Sequence, residues 1–115
     1  MENIIEEKSF RFALRIVNLN KYLRGSKREC ILSAQLLRSG TSIGANVVES
    51  QQAQSRADFL SKLSIALKET SETKYWLRLL HAADYLTNSQ FESINADCVE
   101  LEKILVTIIK STKNN

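Results

Sequence analysis

For catalytic or metal chemistry this chain offers few members of a constellation, with one histidine, His81, and two cysteines, Cys30 and Cys98. A carboxylate-bridged di-iron bundle needs Glu-x-x-His on two helices, and the residue three before His81 is Arg78. A serine triad would have to recruit Asp84, a neighbour of His81 on one helical stretch, and no nucleophile elbow presents a serine. The cysteines stand 68 residues apart without CxxC spacing, and both lie among apolar residues at helical intervals. They read as reduced core thiols, since a free cysteine behaves as a small buried hydrophobe. Gly40 and Gly44 in RSGTSIGAN could suggest a phosphate-cradling loop, but no Lys-Ser/Thr follows them. Glycines four apart are better used where two helices approach closely. The expectation is therefore a protein that is not an enzyme and that carries no metal and no cofactor.

Basic side chains offer the remaining chemistry. Sixteen Lys and Arg against thirteen Asp and Glu give a net charge of +3. All of that excess falls in residues 1–54, which hold eight basic and five acidic side chains. Lys8, Arg11 and Arg15 recur at spacings of three and four, and Lys21, Arg24, Lys27 and Arg28 cluster just after them. Lysine and arginine in this density can neutralise nucleic-acid phosphates, the sequence-independent part of such binding. The ordinary alternative is a solvated polar helix face, diluted by Glu6, Glu7 and Glu29. The opening MENIIEEKSF is acidic and lacks the basic start and apolar run of a secretory signal, so a cytoplasmic protein is expected.

The elements that must position these residues are helices. The chain has no proline and three glycines in 115 residues, which leaves few turns and nearly excludes an all-β fold. Ile5, Ser9, Phe12, Ile16, Leu19 and Leu23 alternate at four and three, the stripe of an amphipathic helix. Asn3 with Glu6 resembles a capping box, and Gly25 supplies a stop. Ser26 with Glu29 forms a second capping signal before Cys30, Ala34, Leu37, Thr41, Gly44 and Val48. A third helix opens at Ser55 with Asp58 and carries Phe59, Leu63, Ala66, Thr70, Thr73, Leu77 and Leu80. A fourth opens at Ser89 with Glu92 and carries Phe91, Ile94, Cys98, Leu101, Leu105 and Ile108. The expected architecture is all-α, an antiparallel up-down-up-down four-helix bundle in one domain, with helices over about 4–24, 27–53, 56–86 and 90–111 and a frayed tail from Lys110. The third helix has more apolar residues than one stripe uses. Either it meets a partner or the other three helices wrap it.

The segment from Arg38 to Leu80 resembles the bacterial four-helix-bundle family of proteins encoded within 23S ribosomal RNA intervening sequences. The resemblance rests on Arg38-Ser39-Gly40-Thr41-Ser42-Ile43-Gly44-Ala45-Asn46 and Glu49, then on Phe59, Lys62, Ile65-Ala66, Lys68-Glu69, Glu72-Thr73 and Tyr75-Trp76-Leu77. It extends over essentially the whole chain, most weakly at the termini, and Ser50-Gln51-Gln52 departs from the small residues usual in the family after Glu49. It implies a basic homopentamer shaped as a barrel, with oligomer-interface candidates Gly40, Ile43, Gly44, Tyr75, Trp76 and Leu79. It implies nucleic-acid binding, RNA or DNA, for which Lys8, Arg11, Arg15, Lys21, Arg24, Lys27 and Arg28 are the candidates. Relatives that accompany a reverse transcriptase in diversity-generating retroelements imply the alternative, a protein-interaction adaptor. No catalytic residue follows from the resemblance.

Overall fold

The computed structural model describes residues 3–115, which form four α-helices and, among the described residues, no strand: α1 Ile4–Gly25, α2 Ile31–Ser50, α3 Arg56–Ala82 and α4 Asn88–Lys113. The connections 26–30, 51–55 and 83–87 are short enough to force each helix antiparallel to the one before it. The result is the expected up-down-up-down bundle, a rod of 46 × 23 × 21 Å. Packing is closest between α2 and its neighbours α1 and α3, and weakest between α1 and α4.

Three of the four cores follow the expected stripes. Ile5, Ser9, Phe12, Ile16 and Leu23 of α1 are buried, as are Leu63, Ala66, Thr70, Thr73, Leu77 and Leu80 of α3. Ile94, Cys98, Leu101 and Leu105 of α4 complete this set, with Ile109 buried in place of Ile108. Burying a leucine or isoleucine contributes about 1.5–3 kcal/mol, so these rows supply most of the drive to fold. Helix α2 departs from expectation by one position. Its buried row is Ser33, Leu36, Ser39, Gly40, Ile43, Gly44, Val47 and Ser50. Cys30, Ala34 and Val48 are exposed, and Leu37 and Thr41 are half-buried. Serine and glycine hide the inward face of α2 from an apolar count, while an apolar row lies beside it on the outside.

The glycines are inward because α1 comes very close. A Cβ added at Gly40 would lie 2.7 Å from Cγ1 of Ile16, and one at Gly44 would lie 3.3 Å from the Ser9 carbonyl oxygen. The inward hydroxyls are all bonded: Ser39 donates to the Leu36 carbonyl, Ser50 to that of Val47, and Thr73 lies 2.9 Å from the Ser39 hydroxyl. No buried side-chain polar atom among the described residues lacks a partner.

The helix ends correct the expected boundaries. Gly25 is the last residue of α1 and has no left-handed backbone; the left-handed residue of this turn is Arg28, at φ 57°. The Ser26–Glu29 capping pair does not form, and α2 begins at Ile31 because Glu29 itself caps it. Helix α3 stops at Ala82, where Asp84 turns the chain at φ 67°. Helix α4 starts earlier than expected, on a capping box of Thr87 and Gln90 rather than Ser89 and Glu92. The expected frayed tail is helical through Lys113. The Asn3 and Ser55 caps are as expected, each side chain accepting from the amide three residues on.

The two glycine roles separate cleanly in stability measurements. Gly40→Ala should lower the free energy of unfolding by about 1–2 kcal/mol, the crowding against Ile16 outweighing the gain in helix propensity. Gly25→Ala, where an added Cβ meets nothing within 4 Å, should raise it by about 0.5–1 kcal/mol. Urea titration of both variants checks the pair.

Candidate nucleic-acid interface

The seven expected cations divide into two groups with different surroundings. On α1, Lys8 pairs with Glu100 of α4 at 3.2 Å, Arg15 with Asp97 of α4 at 2.6 Å, and Arg11 with Glu7 one turn before it at 2.6 Å. Arg15 also donates to the carbonyl and hydroxyl oxygens of Ser93. These cations span the loosest seam of the bundle, where acidic residues of α4 already meet two of them. Exposed pairs of this kind add about 0–1 kcal/mol each. Their charge is nonetheless matched locally.

Lys21, Arg24, Lys27 and Arg28 stand apart. All four are exposed at the end of the bundle where α1 turns into α2, and among the described residues none forms an ion pair. Lys21 and Arg24 share a face of the last turns of α1, and Lys27 and Arg28 occupy the turn itself. The acidic residue within this stretch is Glu29, which is turned inward and only 8% exposed. Its carboxylate accepts from the backbone amides of Ile31, Leu32 and Ser33 at 3.2, 3.0 and 2.7 Å. A negative group at a helix N-terminus is favoured by the helix dipole as well as by the bonds. Ser33 donates back to the Glu29 carbonyl, and Asn20 of α1 donates to the Ser33 carbonyl, locking the turn to both helices. The carboxylate that sequence reading took to dilute the basic cluster is thus withdrawn from its surface.

The six interface candidates are also divided. Gly40, Ile43 and Gly44 are buried, with Gly40 lying against Ile16 and Gly44 against Ser9 of α1, and Gly44 also lines an open groove between the two helices. Tyr75 is exposed. Trp76 and Leu79 are half-buried against the core or its margin. The Trp76 indole Nε1 donates to Glu72 at 2.9 Å, and Glu72 also holds Arg38 of α2, which lies 3.6 Å from Glu69. This Arg38–Glu72–Trp76 link between α2 and α3 was not legible as an interaction, although all three residues belong to the motif that carried the family resemblance. The excess apolar surface expected of the third helix proves mixed: Leu60, Leu67 and Trp76 of α3 pack on the core, as does Tyr85 in the connection beyond it, while Ile65 and Tyr75 remain outside.

His81 stacks on Phe91 at 4.4 Å, and its Nε2 lies 2.7 Å from the Asn88 side-chain oxygen. No group of three or more potential metal ligands comes together among the described residues. Among the described residues no helix is long and apolar enough to cross a membrane. The cysteines differ from expectation in one case: Cys98 is buried, but Cys30 is exposed at the start of α2. Desolvation, assisted by nearby Glu102, pushes the Cys98 thiol up to about 12.

Fold and site together define a packed helical bundle that, among the described residues, carries four unpaired cations at one end. The family model of the 23S rRNA-intervening sequence protein matches residues 1–107, and the chain belongs to that family. The fold is similar to the crystal structure of a protein with unknown function from the S23 ribosomal protein family of Bacteroides thetaiotaomicron VPI-5482. The two are 57% identical with a TM-score of 0.93, over 94% of this chain and 96% of that one. No curated protein matches the sequence.

Two outcomes follow from the geometry of this end. Glu29→Ala removes the carboxylate from three amides and should cost about 1–2 kcal/mol of stability by thermal or urea unfolding. At about pH 8 a disulfide thiol reagent should label Cys30 rapidly and Cys98 only on unfolding, because the thiolate is the reactive form. Mass spectrometry of the folded protein reads this as one label per chain.

Proposed function

We propose that this protein is a homo-oligomeric nucleic-acid-binding protein that acts by binding rather than catalysis, and that it holds RNA or DNA phosphates at the end of the bundle carrying Lys21, Arg24, Lys27 and Arg28. The observation behind this reading is the contrast within the basic residues. Lys8, Arg11 and Arg15 are matched by carboxylates, whereas the four at the α1–α2 turn are exposed and, among the described residues, unmatched. Membership of an intervening-sequence family adds a ribosomal RNA context, and the family resemblance adds a homopentamer, in which every cluster would be repeated five times.

A contact made through phosphates alone is strongly salt-dependent and reads little sequence. If each protomer's tip neutralises four phosphates of a duplex, the slope of log K against log salt is roughly −3 to −4 per protomer, or about a hundredfold loss between roughly 50 and 200 mM salt. Fluorescence anisotropy with a ribosomal RNA fragment and with random duplexes should give similar affinities and this slope. Replacing all four residues with Gln should abolish most of the binding, while the same change at Lys8, Arg11 and Arg15 should have the smaller effect. Absence of binding at low salt would refute the function, and equal losses from the two sets would refute the site.

A further inference from the structure

An open groove between α3 and α4 gathers aromatic, cationic and amide side chains that the basic tip does not use. Its volume is about 300 Å³, and Tyr75, Arg78, Phe91 and Asn95 line it together with Ser71 and Lys74. Two rings stand in it, one from each helix, and each is braced by a further ring. Trp76 meets Tyr75 edge to face, with centroids 5.1 Å apart, and His81 stacks on Phe91 at 4.4 Å. The braces are themselves held, Trp76 by its bond to Glu72 and His81 by Asn88. Tyr75 is nevertheless 53% exposed. A ring fixed in this way gives up little conformational freedom when a flat ligand is laid on it. The charge of the groove is also one-sided. Its lining holds no carboxylate, whereas the α1–α2 groove carries Glu6 and Glu7 and the α1–α4 groove Asp97 and Glu100. Lys74 is matched by Glu102 at 2.9 Å. Arg78 is exposed and, among the described residues, forms no ion pair.

We infer that this groove binds one nucleotide with an unpaired base, the base stacked on Tyr75, the phosphate on Arg78 and the base edge on the Asn95 amide. An exposed aromatic ring beside a free cation is the arrangement by which proteins hold single strands, the ring taking a base and the cation the backbone. An asparagine amide matches the N6 and N7 edge of adenine, which makes adenine the first base to test. The shared chemistry is a flat base carrying a phosphate, supplied either by a free nucleotide or by a strand. Lys68 favours the strand. It lies seven residues before Tyr75 on the same side of α3, exposed and without an ion pair among the described residues, so a longer backbone has a second cation to follow. A duplex keeps its bases stacked on one another and has none to offer. The groove therefore stands apart from the basic tip, which holds phosphates whether or not the bases are paired.

The site is tested by titration calorimetry with adenosine monophosphate, with a short single-stranded oligoadenylate and with the same strand annealed to its complement. Emission from Trp76, the one tryptophan of the chain and the ring against Tyr75, supplies a local signature. Both single-stranded probes should change that emission saturably. Tyr75→Ala should weaken them roughly 5- to 150-fold, the range found for losing one base stack, and Tyr75→Phe, which keeps the ring, should restore affinity to within about twofold of wild type. Arg78→Gln should weaken both probes as well. Tyr75 and Arg78 are exposed, and circular dichroism checks that the variants remain helical. Tighter binding of the oligoadenylate than of the monophosphate identifies a strand as the ligand, and equal binding identifies the free nucleotide. No saturable change with either probe, or affinities untouched by both Tyr75→Ala and Arg78→Gln, would overturn the groove. Changing Lys21, Arg24, Lys27 and Arg28 to Gln should weaken the duplex and leave the monophosphate bound. Loss of the monophosphate in that variant would also overturn the groove, whereas a wild-type protein that takes the monophosphate and no duplex would overturn the tip alone.

Discussion

The contact on which the rest of the bundle depends is the close approach of α1 to α2 at Gly40 and Gly44. With side chains at these positions, Ile16 and the Ser9 backbone would have to move outward, and the two helices would separate. Because they do not, α2 turns a row of small and polar residues inward and its packing is made by Leu36, Ile43 and Val47. The cost of two glycines in a helix, about 1 kcal/mol each, is set against dense contact along the interface. The same rotation carries Val48 and Leu37 out of the core row. An apolar surface on the outside is therefore a geometric consequence of how the inside is packed.

A second dependence operates at the end of the rod. Glu29 could have neutralised one neighbour among Lys27 and Arg28, but its carboxylate is held by three amides at the start of α2. The helix gains its cap and the surface loses its anion in one conformational choice. Arg28 contributes by adopting left-handed backbone, a conformation that costs roughly 1–2 kcal/mol outside glycine. A glycine there would relieve that strain and remove a cation. Stability and charge at this turn are thus in tension, and the chain keeps the charge.

Much of the architecture was legible because α1, α3 and α4 repeat apolar residues at intervals that only a helix satisfies, and the absence of proline left few alternatives. The phase of α2 was not legible. Cys30, Ala34, Leu37 and Val48 form as regular a row as the true one, and hydrophobicity cannot choose between them when the true row is built on Ser33, Ser39 and Gly40. The choice is made by the backbone distance to α1, a tertiary quantity. Boundaries failed for a similar reason: Ser26–Glu29 and Ser89–Glu92 have the spacing of capping boxes, but Glu29 and Thr87 offer the better-placed acceptors. At the candidate site, the cations themselves were legible from clustering. Their division into matched and unmatched groups depended on α4 lying beside α1, which no local pattern contains.

The arrangement separates two kinds of surface along one rod. The apolar groove lies beside the first turns of α1, and the unmatched cations lie at its last turn and beyond. Apolar contact is insensitive to moderate salt, whereas the attraction of an exposed cation for phosphate is screened within about 10 Å at 0.1 M salt. Were the basic end to bind nucleic acid as proposed, that binding would fall as ionic strength rises while the apolar packing of the bundle would not.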